Sequence, residues 1–279
     1  MEKQQTELNI ENMQCILTMD HSALMPSRSF SHMHTSYELF YVWQGEVEIK
    51  TENKVYRVVS GQAALIPPAC YHHTFTKEKT EKFNVFFSFD KNGRRRCEDV
   101  YSEFLRTFSI NTVKIIKKRG IDVGALRDIQ NTDCFCKNER LKAELTRLLF
   151  SIYDTLCKNK KQVKTKSTNT HSAHYRYEIE RILAKNYNNN VPLDELAGSL
   201  YLSPKRLAVI IKSLYGKSFR QLKSEMRIQF AKQLLKESDD TVAVIAQKVG
   251  YGSTRGFLLA FGEHEGMTPS EYRKEGHKA

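Results

Sequence analysis

The chain predicts two architectures in series: a β-rich N-terminal half that reads as a small barrel or sandwich, and an all-α C-terminal half. Three observations carry this. Short strand-like runs punctuated by Gly and Pro fill the first ninety residues. From about Glu98 the apolar period turns helical. One helix-turn-helix pattern then occurs twice in the last hundred residues.

The strand runs are Leu39-Phe-Tyr-Val-Trp43, Val47-Glu-Ile49, Val55-Tyr-Arg-Val-Val59, Ala63-Ala-Leu-Ile66 and Phe83-Asn-Val-Phe-Phe-Ser-Phe89. They are rich in β-branched and aromatic residues and are separated by Gly45, Gly61 and Pro67-Pro68, as in sandwiches and barrels. Leu141, Leu145, Leu148, Leu149, Ile152 and Leu156 then share one helical face. The polar, basic stretch from Lys158 to Thr170 reads as a flexible linker.

Beyond it, Leu193, Leu196, Ala197 and Leu200 form the buried stripe of a short helix. Ser203-Pro204 restarts the chain, because Ser caps free amides and Pro suits the first turn. Leu207, Ile210, Ile211 and Leu214 point inward, which leaves Lys205, Arg206, Ala208, Val209 and Lys212 outward to meet a major groove. The second copy repeats the core: Leu196-Ala197 recurs 49 residues on as Ile245-Ala246, and Leu207, Ile211 and Gly216 recur 50 on as Phe257, Phe261 and Gly266. Its outward residues include Ser253, Thr254 and Arg255. Ser218-Phe-Arg-Gln221 and Thr268-Pro-Ser-Glu271 fit capping boxes, and such helix starts can hold phosphate. Between the copies an amphipathic helix from about Phe219 to Lys236 carries Leu222, Met226, Phe230 and Leu234. Its length of roughly 27 Å places two readers about one DNA turn apart.

Forty-four basic and 32 acidic residues give a net charge of +12, which favours a polyanionic partner. No apolar run reaches the roughly 20 residues that span a bilayer, and the N-terminus lacks a signal-peptide core. With six cysteines showing no CxxC spacing, a cytoplasmic protein with reduced thiols is expected.

Residues 176–274 resemble the DNA-binding domain of the AraC/XylS family of bacterial transcription regulators. The resemblance rests on Ile245-Ala246, Gly250-Tyr251, Phe257, Phe261, Gly266-Met-Thr-Pro269-Ser-Glu-Tyr272-Arg273 and the spaced Arg227, Ala231, Leu234 and Leu235. It departs from the family where outward polar or basic residues give way to Val209, Leu259, Gly262 and Glu263. The first copy, with Lys205, Arg206 and Lys212, is therefore expected to be the principal reader.

His32-Met-His34-Thr-Ser-Tyr-Glu38 followed after six residues by Gly45 resembles the first cupin motif. Gly61, Pro67 and His72 resemble the second, with Ala69 where Gly is usual. His32, His34, Glu38 and His72 form a candidate set for a divalent metal. The same residues with Trp43 are candidates for an effector site, and Phe30, Tyr37 and Tyr71 are further candidates for its lining. Aromatic faces suit sugar rings, so a sugar is one expected effector.

The combined expectation is a multi-domain α and β chain. Residues 1–95 form a cupin-like β-barrel, 96–160 a helical dimerisation segment, 161–174 a flexible linker, and 175–279 two helix-turn-helix copies joined by a long helix. The resemblance implies a homodimeric, effector-responsive activator that binds double-stranded DNA at Ser203, Lys205, Arg206, Ala208, Val209, Lys212, Ser218, Ser253, Thr254, Arg255 and Thr268, and that works with RNA polymerase. A metal-dependent cupin enzyme with a DNA-binding appendage is the alternative. A constitutive DNA-binding protein with an inert barrel is the third reading.

Overall fold

The apolar run Leu39-Phe-Tyr-Val-Trp43 lies in a strand, Tyr37–Gln44, whose first six residues are buried, on both faces. A computed structural model describes residues 4–24, 30–51, 54–92, 99–110, 112–117, 121, 123–131, 136–162, 170–186 and 188–276. The first elements are β1 (Gln4–Ile10), β2 (Met13–Leu24), β3 (Phe30–His32), β4 (Tyr37–Gln44), β5 (Glu46–Thr51), β6 (Val55–Val59), β7 (Ala63–Ile66), β8 (His72–Phe75) and β9 (Thr80–Lys91). Then come α1 (Val100–Phe108), β10 (Lys114–Ile116), α2 (Gly124–Asn131) and α3 (Lys137–Gln162). The helical remainder is α4 (Thr170–Lys185), α5 (Leu193–Ser199), α6 (Pro204–Tyr215), α7 (Phe219–Glu237), α8 (Val242–Lys248), α9 (Thr254–Glu265) and α10 (Pro269–Gly276). By its internal contacts the chain divides into two units. One comprises Met1–Ser29, Ser36–Pro67 and Thr74–His174; the other comprises Phe30–Thr35, Pro68–His73 and Tyr175–Ala279.

The strands form two sheets, β1-β2-β9-β4-β7-β10 and β3-β8-β5-β6. The expected barrel is thus a two-sheet arrangement, as in a jelly roll. All five strand runs read from the sequence lie within β4, β5, β6, β7 and β9. The β1–β2 hairpin turns at Glu11 and Asn12, with Glu11 at φ 50°. On β2 the residues Met13, Cys15, Leu17 and Met19 are buried, an alternation with Gln, Ile and Thr between them.

Odd-numbered residues of β4 and β9 face the helices. Tyr37 stacks on Phe87 at 5.4 Å and its hydroxyl donates to Phe108 O at 3.0 Å. Leu39, Val85 and Phe87, with Leu17 of β2, line a small space against Leu145, Leu148, Leu149 and Ile152 of α3. The Leu141–Leu156 face, expected to meet a second subunit, thus packs on the sheet of its own chain. Its leucines are already buried, and this sheet is what they meet. The driving force is ordinary burial, worth about 1.5–3 kcal/mol for each large apolar side chain. On the outer side of α3, Phe150 stays 39% exposed.

The stretch expected to be a linker is helical where it is described, since α3 runs to Gln162 and α4 starts at Thr170; residues 163–169 lie outside the described residues. Cys15, Cys70, Cys136 and Cys157 are free thiols.

The helical domain has two hydrophobic cores. Ile179, Leu196, Ala197, Leu207 and Ile211 belong to the first. Ile245, Ala246, Phe257 and Phe261 belong to the second. Helix α7 serves both, and this differs from the single stripe expected. Leu222 and Met226 join the first core, whereas Ile228, Ala231 and Leu235 join the second. Phe230 packs against both.

A polar latch fastens the end of α6 to α4. Arg176 donates to Leu214 O at 2.9 Å and lies 4.9 Å from the Tyr215 ring centroid. The Tyr215 hydroxyl donates to Glu180 Oε1 at 3.2 Å. Burial pushes the Glu180 carboxyl up to about 7, against the opposing pull of Arg176 and Tyr215.

Two predictions follow from these contacts. Gly250 stands at φ 82°, and a Cβ there would come within 2.6 Å of Asn188 O and 2.8 Å of Arg227 Nη2. Gly216, at φ 69°, has open space around it. Gly250→Ala is therefore expected to destabilise the domain by about 3 kcal/mol, from backbone strain plus overpacking. Gly216→Ala is expected to cost only about 1 kcal/mol, from the left-handed backbone alone. Urea unfolding measures both, and equal losses would contradict the steric account. The second prediction concerns Glu180. Because its folded pKa is raised, the fold favours the protonated acid. This contribution is complete below the unfolded value and is lost as pH rises from about 4.5 through about 7. Thermal melts from pH 5 to 8 should show Glu180→Gln flattening the decline by up to about 3 kcal/mol. An unchanged slope would show that the carboxyl titrates normally.

Candidate nucleic-acid interface and sandwich interior

Helices α6 and α9 are built to one plan. Each has 12 residues. Ser203 Oγ accepts from Arg206 N and Ser253 Oγ accepts from Gly256 N, so each first turn is capped by a serine three residues back. Gly216 and Gly266 end the helices at φ 69° and 70°, the left-handed cap that only glycine adopts without strain. The correspondence between the copies, 50 residues, is thereby fixed along the whole helix.

The expected inward residues are inward. Leu207, Ile211, Phe257 and Phe261 are fully buried. Lys205, Arg206, Ala208, Val209, Thr254 and Arg255 are exposed, as are the caps Ser203 and Ser253. Lys212 is exposed too, but its ammonium donates to Gly216 O at 2.8 Å, back onto the end of its own helix. In this position it satisfies a terminal carbonyl and complements the helix dipole.

The two helix starts that follow the readers differ. At α7 the Ser218 hydroxyl accepts from Gln221 N, and the neutral Gln221 amide oxygen accepts from Ser218 N. At α10 the Thr268 hydroxyl accepts from Glu271 N, and the Glu271 carboxylate accepts from both Thr268 N and its hydroxyl. These hydrogen bonds hold Glu271 below the usual carboxylate range. A carboxylate at a helix start already takes the place an anion would occupy. The α7 start therefore suits a phosphate better than the α10 start.

Several motif residues turn out to hold the scaffold. Arg227 donates to Asn189 O at 3.2 Å and lies 5.6 Å from the Tyr251 centroid. Arg273 donates to Leu235 O and Asp240 O. The Lys232 ammonium pairs with Glu265 at 2.8 Å and ties the end of α9 to α7. Sequence reasoning missed Tyr201, which is 97% exposed at φ 54° beside the start of α6. Its signal was available, because Gly250 stands 49 residues later at φ 82°.

The even-numbered residues of β4 and β9 face away from the helices. Here three polar residues, Glu38, Lys82 and Asn84, are buried beside the apolar Phe40 and Val42. Glu38 is fully buried and its Oε1 accepts from Asn84 Nδ2 at 2.7 Å. Lys82 is buried, lies 5.6 Å from the Phe40 centroid and has Asp20 at 3.4 Å. Asn84 and Lys82 were also missed, although polar residues alternating within the run Lys82-Phe-Asn84-Val were a readable sign. Of the expected metal set, Glu38 belongs to the first unit, while His34 and His72 belong to the second, where their rings meet edge-on at 5.2 Å. His32 ends β3, and its side chain lies outside the described residues, as does that of Phe30. Trp43 sits at the register shift of β4, where Tyr41 meets its ring edge-on at 4.9 Å and Arg127 covers it at 5.2 Å. Tyr37 is part of the helix-side aromatic cluster rather than the interior. Ala69 has φ 56°, so the motif's usual glycine position keeps its left-handed backbone here.

Residues 196–275 match the helix-turn-helix domain family, and residues 20–89 match the cupin domain family. The melibiose operon regulatory protein of Escherichia coli K12 is 22% identical over 263 residues, covering 90% of this chain and 84% of that one. The raffinose operon transcriptional regulatory protein RafR of Pediococcus pentosaceus is 24% identical over 267 residues, covering 93% of each. An uncharacterised helix-turn-helix regulator of Bacillus subtilis, YtdP, is 35% identical over 97 residues, which are 35% of this chain and 13% of YtdP. Among solved structures, unsaturated-fatty-acid-bound ToxT of Vibrio cholerae is similar at a TM-score of 0.48 and 16% identity, covering 92% of this chain and 94% of that one. No helix among the described residues is long and apolar enough to cross a membrane. The chain thus joins a cupin domain to a helix-turn-helix domain and is similar along most of its length to named operon regulators, as a DNA-binding transcription regulator.

Proposed function

We propose that this regulator is an activator whose effector is an oligosaccharide held in the sandwich interior, and that α6 and α9 enter successive major grooves. The observation that carries the effector reading is the buried polar set on β4 and β9: Glu38, Asn84 and Lys82. Glu38 pairs with Asn84 and Lys82 with Asp20, but among the described residues the buried Asn84 Oδ1 lacks a partner, and a polyhydroxylated ligand supplies donors. Two relatives are named for the melibiose and raffinose operons, which supports the same class. Binding shifts the balance between two conformations or dimer arrangements of differing DNA affinity. The homodimer and the contact with RNA polymerase belong to this proposal.

On the DNA side, Lys205, Arg206 and Arg255 supply the cationic contacts, Ser203, Ser253, Thr254, Ser218 and Thr268 the capped helix starts, and Ala208 and Val209 the outward face of α6. Lys212 reaches phosphate only by leaving Gly216 O. A second reading is favoured by the paired imidazoles of His34 and His72, 5.2 Å apart. They would hold a divalent metal. Such a metal would supply a Lewis-acidic anchor for ligand oxygens. Metal analysis of purified protein tests this, and absence of stoichiometric metal sinks it.

Two measurements test the main reading. Melibiose or raffinose is expected to stabilise the folded chain by RT ln(1 + [L]/Kd), about 2.7 kcal/mol at a hundredfold excess over Kd, read as a higher melting temperature. Glu38→Gln should abolish the shift, and no shift with either sugar removes the oligosaccharide assignment. In mobility-shift titrations with selected duplex, Arg206→Ala is expected to weaken binding at least tenfold and Glu263→Ala to leave it unchanged or tighter. Equal losses would overturn the primacy of the first copy.

A further inference from the structure

Outside its cores the helical domain leaves large apolar side chains in water at matching places on the two readers. Val209 is 54% exposed, Leu259 is 61% exposed and Leu258 is 42% exposed. The shared Ser caps and glycine ends make Val209 the counterpart of Leu259, and Ala208 the counterpart of Leu258. In each helix the apolar pair stands three and four residues beyond a cation, Lys205 in α6 and Arg255 in α9. Residues so spaced share a helical face. Each reader therefore presents a cation at its start, two in α6, and an apolar surface one turn later.

We propose that these surfaces read thymine methyl groups, Val209 in the groove entered by α6 and Leu258 with Leu259 in the groove entered by α9. The inference rests on the DNA-reading proposal above and adds its sequence preference. The thymine C5-methyl is the apolar group that base pairs present in the major groove. Charge favours DNA as the occupant, since Lys205, Arg206 and Arg255 surround the apolar positions and the chain carries a net +12. The repetition favours it as well. A surface repeated at a fixed helical position suits a ligand that itself repeats, and successive turns of a duplex do so. Helix α7, with 19 residues, is about 28 Å long, so the two readings fall about one turn, or about 10 base pairs, apart.

This assigns a role to residues that otherwise count against the second copy. Gly262 and Glu263 of α9 stand where α6 has Lys212 and Ser213. The second reader thus gives up phosphate attraction and keeps the larger apolar face, so it contributes more to base preference than to salt-dependent affinity.

The test uses the full-length chain and a random-sequence duplex pool. Selected duplexes should carry thymines in two clusters about 10 base pairs apart. Replacing each thymine by deoxyuridine removes the methyl and leaves base pairing intact. At the contacted positions deoxyuridine should weaken binding about three- to fivefold per methyl, the value of burying one such group. Val209→Ala should erase the thymine–deoxyuridine difference in one cluster only, and Leu258→Ala with Leu259→Ala in the other only. The sites are exposed, so folding is retained, and circular dichroism verifies it. Deoxyuridine behaving like thymine at every position overturns the proposal while leaving DNA reading intact. Failure to select any duplex defeats the DNA-reading proposal and this one together. Variants that keep the deoxyuridine effect but lose transcription activation would assign the apolar face to a protein partner and overturn it equally.

Discussion

Helix α7 is the element on which the helical domain depends, because both cores are built against it. A surface helix has one apolar stripe. This one has two, displaced along its length, with Leu222 and Met226 serving one core and Ile228, Ala231 and Leu235 the other. Each copy of the helix-turn-helix is too small to bury its own core. Its short first helix, seven residues in α5 and in α8, offers only a pair of buried residues. Domains of this size are marginal without additional buried surface, and α7 supplies that surface to both. The separation of the readers is then a consequence of stability. Neither reader can shift along α7 without exposing its half of the apolar residues.

Capping fixes the rest of the geometry. A helix that started one residue later would turn its outward face by about 100°. Ser203 and Ser253 set the starts and Gly216 and Gly266 set the ends, so the phase of every outward residue is determined by four small side chains. This is why core positions and outward positions could diverge independently. Leu207 and Phe257 differ by size within one buried class, whereas Arg206 and Gly256 differ in kind.

Much of this was legible in the sequence because it depends on local rules. Caps, glycine ends and the helical period are properties of a few adjacent residues, and they placed α5 to α10 closely. The strands visible in advance were those with dense β-branched and aromatic runs. β1 and β2 were less visible, because the buried Met13, Cys15, Leu17 and Met19 alternate with residues that suit a strand only once β9 lies beside them. The Leu141–Leu156 face was legible as apolar, but what it covers depends on the tertiary arrangement. Lys212 was legible as outward, yet its bond to Gly216 O depends on where the helix ends. In the interior, Lys82 and Asn84 were readable as polar residues alternating within an apolar run, but the bond from Asn84 to Glu38 depends on β9 lying beside β4.

The two halves share a physical theme, which is polar or apolar character placed where the fold alone gives it no return. Glu38 and Lys82 are charged groups inside a sandwich that apolar residues would stabilise more simply. Val209 and Leu259 are apolar groups in water where lysine would be more soluble. Sequences that specify a stable fold keep such inversions few, and where they occur they mark surfaces completed by something outside the chain. Inside the sandwich the buried Asn84 Oδ1 is left for a hydrogen-bond donor. On the readers the exposed face is apolar and repeated. The polyhydroxylated effector and the methyl-bearing groove proposed above are complements of those two kinds, and exchanging them would suit neither.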